Sequence, residues 1–512
     1  MSTSGINSLL SALNPSTTET LAQLLGKSNS STNPSTSTAI QQAVNSILNS
    51  ATNTSGSGID VTVTVNAILQ IEAQPEINLQ SRVTAFNAQT NALKTIQSDL
   101  AAFQTSVRAL NDADGAFSQV VVSSSNNNVV SATAAAGTTE GAHAVKVSSL
   151  ATTAASYSAS QLTGSTVIST GSFDLQVGPN GTVEPIPVDS TDGTNTLDGL
   201  AIYINQHNLG VTATVITDTS GARLSLVSQT SGAAGALTIS NDTTGTNGLG
   251  FTQATDGNGH VLGADAQLTV DGIPVSSATN TVTGAISGVT LLLSGTSTSP
   301  VTLAIQPDLS QVGTALNNFV ITYNQVMTDI NAQYAYDGTS GAAPPLLGYT
   351  SLDLLQSQLL NSMTTSITGN NGLVNLQSIG IQLQQDGTLT VASSTSADSM
   401  SLNEALINHF SAVQNLFQSA ASSPAGAGVA TALNTRLVAL NDAVIGPLNL
   451  DMTGINNTVT DLNKQISDFQ YQLQQTQTQL MNEYSRINTM LEQLPQTLAA
   501  INSQLDALKP PK

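Results

Sequence analysis

Both ends of the chain carry apolar residues at alternating steps of three and four, the spacing of a helix that buries one stripe. The polar residue Thr476 fills one position of the C-terminal stripe, and two successive steps of four through Leu480 and Tyr484 insert a stutter that locally unwinds a left-handed supercoil. The spacing predicts a long coiled-coil helix. Its apolar positions are Val459, Leu462, Ile466, Phe469, Leu473, Leu480, Tyr484, Ile487, Leu491, Leu494, Leu498, Ile501, Leu505 and Leu508.

An ordinary amphipathic helix packed on a globular core carries a similar stripe. From Val459 to Leu494, however, a helix would measure about 54 Å at about 1.5 Å per residue, which is longer than a compact domain usually needs. Pro495 would remove one hydrogen bond inside this helix and clash with the preceding turn, at a cost of about 3 kcal/mol. We therefore expect a kink or a break at Pro495.

A second stripe lies nearer the N-terminus, at Leu79, Val83, Phe86, Thr90, Leu93, Leu100, Phe103, Val107 and Leu110. Gln97 occupies one of its positions, which the neighbouring Ile96 is placed to share, and Asp112, Asp114 and Gly115 predict the end of the helix. The two stripes are natural partners. We predict that their apolar residues, from Leu79 to Leu110 and from Val459 to Leu494, form the seam through which the protein assembles with itself.

The composition argues for an extended, multidomain protein. The chain has 512 residues, of which only 8% are charged and 3% aromatic, and it contains no tryptophan. Its 11 Lys and Arg residues face 32 acidic ones, giving a formal net charge of -21, and no two cations are adjacent. Binding to phosphates needs clustered positive charge. We therefore predict that neither nucleic acid nor an anionic membrane surface is a partner.

The chain has no cysteine, so disulfides and thiolate metal sites are excluded. Residues 1–16 lack both a basic segment and a sustained apolar segment, so no Sec signal is visible. The longest apolar run, residues 289–293, is far too short to span a bilayer. We expect no membrane insertion, and export would have to use another route.

The middle of the chain has a strand-like pattern. Turn signals such as Asp192-Gly193, Asp256-Gly257 and Asp271-Gly272 punctuate it, and after Pro307 an apolar helical face follows. That face consists of Leu316, Phe319, Val320, Tyr323, Val326, Met327 and Ile330. The predicted strands are residues 120–123, 129–132, 145–147, 173–177, 211–215, 224–227, 237–239, 268–270, 289–293 and 301–305.

These patterns predict an α+β multidomain protein in which paired terminal coiled-coil helices and a helical domain flank inserted antiparallel β-domains. Because the chain leaves from and returns to the same pair of helices, strands before Leu150 and after Asp265 should share a sheet. The predicted domains are a disordered polar leader (1–58), an N-terminal coiled coil (59–115), an outer β-domain in two parts (116–159 and 264–309), an inserted β-domain (160–263), a helical domain (310–455) and a C-terminal coiled coil (456–512).

No catalytic, cofactor or metal site is predicted, and enzyme activity is not expected. The four histidines are scattered without a ligand partner at helical spacing. Gly26-Lys27-Ser28 matches the end of a phosphate loop, but Leu21 stands where the loop's first glycine belongs. Residues 256–260 are faintly similar to a calcium loop, yet Val261 occupies the position of the required glycine.

Three stretches of the chain follow one another in a characteristic order. The first is residues 58–61 (GIDV), followed by an apolar helix and the N-terminal stripe. The second is residues 197–205 with 210–213 and 222–226, and it resembles the flagellin IN motif. The third is residues 266–293. In this order the three stretches resemble the flagellar hook-associated protein 2 family, the filament cap protein, and the third is similar to the opening of the family's C-terminal region.

The resemblance implies an extracellular ring at the filament tip, exported by the flagellar type III apparatus, that helps flagellin insert and polymerise. The implied partners are further copies of the chain, flagellin, hook–filament junction proteins and a type III export chaperone. Adhesion to host surfaces is compatible with a position at the tip. Two alternatives remain open at this point: another axial flagellar protein, either junction-forming or flagellin-like, and a surface adhesin.

Overall fold

The computed structural model describes residues 60–245, 248–251, 261–336, 343–392, 400–419 and 427–507. The predicted polar leader, Gly26-Lys27-Ser28 and the loop at 256–260 with its Asp256-Gly257 turn lie outside these ranges. The chain divides into two compact units. The first contains Met1–Ala101, Gln325–Leu359 and Arg436–Lys512, and the second contains Ala102–Asn324 and Leu360–Thr435.

The described residues combine α-helices with small antiparallel sheets, which confirms the predicted α+β multidomain class. The helices are α1 (Val61–Glu72), α2 (Gln74–Asn111), α3 (Leu197–Gln206), α4 (Leu309–Tyr334), α5 (Thr350–Met363), α6 (Leu402–Gln418), α7 (Val429–Leu440) and α8 (Pro447–Ala507).

Local sequence sets the bounds of the N-terminal helices. Asp60 caps α1, and its Oδ1 accepts a hydrogen bond from Val63 N at 3.1 Å. Pro75 lies in the first turn of α2, where its missing N–H leaves no helical hydrogen bond unmade. The end of α2 at Asn111 confirms the predicted stop. A Cβ on Gly115 would lie 2.6 Å from Ala109 O, so the turn after α2 needs glycine.

Of the kink or break expected at Pro495, the break is wrong, because α8 continues through Pro495 to Ala507 as one helix of 61 residues. The kink stays a prediction. Proline removes one hydrogen bond, to the carbonyl four residues earlier, and the side chains from Glu492 to Gln504 are exposed. Water can therefore solvate the freed carbonyl, and a single defect is insufficient to end so long a helix.

The outer β-domain consists of two sheets that share one core. Five strands pair in the order β1-β14-β3-β10-β11, and three pair in the order β12-β13-β2. Buried aliphatic side chains from both sheets, such as Val145, Leu268 and Leu291, form the core. The strands are β1 (Val120–Ser124), β2 (Val130–Ala134), β3 (Gly141–Ser149), β10 (Ala266–Val270), β11 (Ile273–Ser277), β12 (Thr281–Ile286), β13 (Val289–Leu293) and β14 (Val301–Pro307).

The expectation that strands before Leu150 and after Asp265 share a sheet is confirmed. β1 pairs with β14 from Val120↔Pro307 onward, and β3 lies between β14 and β10. At the β10–β11 turn, Asp271 and Gly272 have φ values of 51° and 85°. Two successive positive φ angles favour a two-residue hairpin of Asp-Gly type, as the sequence predicts.

Between the two parts of the outer domain lie two further three-stranded sheets, in the orders β4-β8-β7 and β6-β5-β9. Together with α3 they form a separate buried core. Thr196 caps α3, and a Cβ on Gly199 would lie 1.9 Å from Gly193 O, so the helix needs glycine there. The strands are β4 (Thr153–Tyr157), β5 (Gly171–Val177), β6 (Val183–Val188), β7 (Val211–Asp218), β8 (Gly221–Ser231) and β9 (Leu237–Ser240).

The apolar face predicted after Pro307 belongs to α4, and all seven of its residues are buried. In the second unit, the ring of Phe103 lies 5.4 Å from that of Phe319 and 5.5 Å from that of Tyr323, so aromatic packing fixes α2 against α4 there. The same unit contains the hairpin of β15 (Ile381–Leu383) and β16 (Leu389–Val391).

The outer core makes one test direct, because Leu291 is buried and the adjacent Leu292 is 49% exposed. We expect Leu291→Ala to lower the local free energy of unfolding by about 2–5 kcal/mol through lost transfer energy and the cavity left behind. Leu292→Ala, the matched control, should change it by about 0.5 kcal/mol or less. Hydrogen exchange of peptides from β2, β12 and β13 measures both. Equal effects of the two variants would contradict the strand orientation.

Candidate assembly surface

In the first unit, α2 and α8 run antiparallel in a constant register. Gln97 Nε2 donates to Asn449 Oδ1 at 3.1 Å, and Gln470 Nε2 donates to Glu76 Oε1 at 2.6 Å. Moving 21 residues back along α2, from 97 to 76, moves the partner 21 residues forward along α8, from 449 to 470. The two predicted terminal helices therefore pair within one chain.

The pairing continues beyond α2, because α1 also contacts α8. Numbered on from the register of α2, Asp60, the first described residue, would correspond to Arg486 of α8. The helix α8 runs 21 residues farther, to Ala507. The last part of α8 thus extends beyond the described part of its antiparallel partner.

The N-terminal stripe is buried most deeply toward its C-terminal end. Leu93, Leu100, Phe103, Val107 and Leu110 are fully buried, whereas its first three apolar residues, Leu79, Val83 and Phe86, are half-buried. Ile96 is buried and Gln97 is half-buried, so Ile96 takes the apolar position that the sequence left open between them. The fully buried residues already have partners within one chain.

Along the C-terminal stripe, burial decreases toward the C-terminal end of the helix. Leu462 is buried, and Leu494 is 55% exposed. The residues between or beside them, all half-buried, are Val459, Ile466, Phe469, Leu473, Leu480, Tyr484, Ile487 and Leu491. The stripe begins earlier than the sequence predicts, because Leu448, Met452 and Ile455 are buried and precede Val459 at steps of four, three and four. The role of the stripes in self-assembly stays a prediction.

The exposed end of the helix carries an apolar surface that we call the distal stripe, formed by Leu494, Leu498 and Ile501. These side chains are 55%, 52% and 48% exposed, and they recur at steps of four and three on one helical face. Each large aliphatic side chain gains about 1.5–3 kcal/mol when it is fully buried. The distal stripe is therefore suited to bind another apolar helix.

Two acidic residues of the first unit, Asp442 and Asp99, have shifted pKa values. The carboxylate of Asp442 accepts hydrogen bonds from the backbone N–H groups of Ile445 and Val444, which hold its pKa below the usual range and fix the turn before α8. Burial, with Asp329 as a second cause, raises the pKa of Asp99 to about 6. No local sequence pattern predicts this shift, because Asp329 lies 230 positions away in the chain.

The clearest titratable pair outside the helices belongs to the outer β-domain. His143 Nδ1 lies 2.7 Å from Asp271 Oδ2, and Ala144 N donates to Asp271 Oδ1 at 2.8 Å. These two hydrogen bonds, the backbone one first, lower the pKa of Asp271. The carboxylate thus connects the β10–β11 turn to β3. A cavity of about 440 Å³ beside His143 is lined by residues 135–143 and 286–288, mostly small side chains and backbone.

Within the described ranges, no three or more His, Asp or Glu side chains are grouped so that they could hold a metal ion. In the same ranges, every helix is too short or too polar to cross a bilayer. Among the described residues, the candidate surface for the predicted self-assembly is thus the pair of terminal helices with the exposed distal stripe.

Comparison with known families gives two matches that bracket the inserted β-domain. Residues 57–154 match the flagellar hook-associated protein 2 N-terminus, and residues 263–496 match the flagellar hook-associated protein 2 C-terminus. Together they cover more than half of the chain, in the order that the sequence analysis expected. The chain belongs to the flagellar hook-associated protein 2 family.

Individual relatives agree with this assignment. The B-type flagellar hook-associated protein 2 of Pseudomonas aeruginosa is 29% identical over 381 residues, covering 70% of this chain and 78% of that relative. The flagellar hook-associated protein 2 of Escherichia coli K12 is 26% identical over 356 residues, covering 65% and 74% of the two chains. The crystal structure of the D1-D2-D3 domains of the flagellar cap protein FliD from Escherichia coli matches with a TM-score of 0.52 and 26% identity, covering 71% of this chain and 99% of that one.

The antiparallel register is testable by cross-linking, since the chain has no cysteine of its own. We expect the double variant Glu76→Cys, Gln470→Cys to be joined within one chain by a short bifunctional maleimide. Glu76→Cys with Thr460→Cys is the control, displaced by ten residues or about 15 Å along α8. Denaturing electrophoresis and mass spectrometry of the product separate linkage within a chain from linkage between chains. Efficient joining of the control pair, or dimers from the first pair, would contradict this register.

Proposed function

We propose that this protein forms the cap at the tip of the bacterial flagellar filament and promotes insertion and polymerisation of flagellin. Membership of the hook-associated protein 2 family supports this function, as does the fold shared with a flagellar cap protein of Escherichia coli. Both family matches fall on the hook-associated protein 2 termini, which favours the cap over a junction protein or flagellin. Adhesion stays a prediction from the sequence.

The observation that carries the proposal is the antiparallel pair of α2 and α8. It joins α2 and α8 within the first unit, and the β-domains are one insertion in the sequence between these helices. The paired helices are the proposed surface for assembly, and the β-domains are the proposed surface for contact with flagellin. The proposed partners are copies of the chain, flagellin, hook–filament junction proteins and a type III export chaperone, and the proposed location is the extracellular filament tip.

We further propose that the distal stripe contacts a second copy of the chain during ring assembly. The chain carries a formal net charge of -21, so copies repel each other over most of their surface. Residues 487–504 contain a single charged residue, Glu492. This neutral segment with an exposed apolar face is where two copies can approach at little electrostatic cost. The fully buried part of the N-terminal stripe, in contrast, already packs within one chain.

We expect the triple variant Leu494→Asp, Leu498→Asp, Ile501→Asp to remain folded and to lose assembly. The three side chains are about half exposed in the single chain, so folding loses little, whereas a helix contact would bury three unpaired carboxylates. Negative-stain microscopy and sedimentation of the purified full-length protein measure rings. Filament growth in a motile strain that produces only the variant reports on capping.

The matched control places the same three charges on the opposite helical face, as Gln496→Asp, Ala500→Asp, Ser503→Asp. All three positions are exposed, so the control should assemble rings and support filaments. Ring formation by the distal-stripe variant would refute the proposed contact between copies. Loss of rings by the distal-stripe variant without any effect on filament growth would argue against the cap function itself.

A further inference from the structure

Two large aliphatic side chains project from the turn between α7 and α8 in the first unit. Val444 and Ile445 are 75% and 71% exposed, more than any other large apolar side chain among the described residues of this unit. Leu450, in the first turn of α8, is 56% exposed. We call these three residues the proximal knob.

Capping of α8 explains part of this arrangement. Gly446 O accepts the first helical hydrogen bond, from Leu450 N at 3.0 Å, and Pro447 is the first helical residue. Ile445 and Leu450 thus occupy the positions before the cap and four residues after it, whose apolar side chains commonly pack together. Such a contact covers one side of each side chain, yet both remain more than half exposed. The proximal knob is therefore apolar surface beyond what the cap of α8 needs.

The turn that carries the proximal knob is held by hydrogen bonds. Asp442 Oδ1 accepts from the backbone N–H groups of Val444 and Ile445, at 2.8 Å each. Asp442 O accepts from Gly446 N at 3.1 Å and from Asn449 Nδ2 at 2.8 Å. A surface on a fixed backbone loses little conformational entropy when a partner covers it. The turn thus presents its apolar side chains in a conformation ready for binding.

Both ends of α8 are poor in charge. Asp451 is the single charged residue among residues 443–460, and Glu492 is the single one among residues 487–504. The whole chain has a formal net charge of -21, so repulsion between copies is weakest where both surfaces lack charge. The proximal knob therefore matches the distal stripe both in apolar character and in its low charge.

The two surfaces cannot meet within one chain. α8 is a single helix from Pro447 to Ala507, and the 44 positions from Leu450 to Leu494 correspond to about 66 Å at about 1.5 Å per residue. A proximal knob can therefore reach only the distal stripe of another copy. An interface that is repeated around a ring of more than two copies joins two different surfaces of each copy. The proximal knob and the distal stripe are two such surfaces.

The spacing of the distal stripe suits an inserted side chain. Leu494, Leu498 and Ile501 recur at steps of four and three. Residues at this spacing border a hole on the helix surface, which one apolar side chain of a partner can fill. The exposed branched side chains of Val444 and Ile445 have the size and the apolar character to fill it.

We propose that the proximal knob of one copy binds the distal stripe of the next copy. The contact runs head to tail, from the start of one α8 to the end of the neighbouring α8. A contact of this kind gives a ring if the rotation between copies closes, and an open filament if it does not. The inference rests on the proposed function, which assigns the distal stripe to contact between copies.

The test compares two full-length variants, each of which lacks one of the two surfaces. Val444→Gln, Ile445→Gln, Leu450→Gln removes the proximal knob without placing charge beside Asp442, and the distal-stripe variant carries the three Asp substitutions proposed above. Each variant alone should remain monomeric at concentrations at which the parent forms rings. An equimolar mixture should form dimers with one chain of each variant and nothing larger, because only one intact knob and one intact stripe can meet. Analytical ultracentrifugation measures all three samples.

Cross-linking locates the contact without removing either surface, since the chain has no cysteine of its own. Ile445→Cys protein is mixed with isotope-labelled Leu498→Cys protein and treated with a short bifunctional maleimide. We expect products that contain one labelled and one unlabelled chain, identified by mass spectrometry. Gln496→Cys, on the opposite face of α8, replaces Leu498→Cys as the control, and the mixed product should then be lost.

A second control, Ile77→Gln, Tyr471→Gln, removes two exposed apolar side chains midway along the helix pair and should form rings like the parent. Rings from the knob variant would overturn the proposal, and if such rings fail to support filaments, the knob binds another partner such as flagellin. Cross-linked pairs of two Leu498→Cys chains in place of mixed pairs would also overturn it. Monomeric variants that form a mixed dimer but leave filament growth normal would support the contact and contradict the cap function.

Discussion

The antiparallel contact between α2 and α8 is the interaction on which the rest of the first unit depends. Most helical stability in proteins comes from packing an apolar face, and α2, a helix of 38 residues, carries such a face in its stripe. α8 supplies the surface against which this face of α2 packs. Two hydrogen bonds donated by side-chain amides fix the register of the two helices. The residues joined by these hydrogen bonds are about 350 to 390 positions apart in the chain. Their pairing therefore fixes the two ends of the segment between α2 and α8.

The outer β-domain meets the same constraint at its own boundary. β1 and β14 pair from Val120↔Pro307, and Asp308 N donates to Gln119 O at 2.9 Å just before α4 begins. The chain thus enters and leaves the β-domain at neighbouring points. The inserted sheets repeat the arrangement, since β3 and β10 are paired where the chain passes into and out of them. A pair of adjacent strands thus lies at the boundary of each insertion, where the chain enters and leaves it.

The sequence predicted the helices and strands well, because their periods of 3.6 and 2 are local properties of the chain. The sequence predicted less wherever a feature depends on contacts or solvent exposure in the folded chain. Pro495 costs the helix one hydrogen bond, but the exposed position and the length of α8 decide that the helix continues. Burial extends the α8 stripe back to Leu448, whereas the sequence predicts it only from Val459. The burial that raises the pKa of Asp99 depends on how the helices pack and leaves no pattern in the sequence around it.

The charge distribution explains why side-chain amides, and not cations, donate the hydrogen bonds between α2 and α8. The chain has about three acidic residues for every basic one, so few cations are present to form ion pairs between α2 and α8. Amide contacts such as Gln97 to Asn449 fix the register without charge, and salt does not screen them as it screens exposed ion pairs. The strong acidity then acts between molecules instead of within the helix pair. In the proposed assembly, separate copies repel each other through their charged surfaces and meet at the neutral end of α8. One composition would then both delay association and limit it to a defined surface.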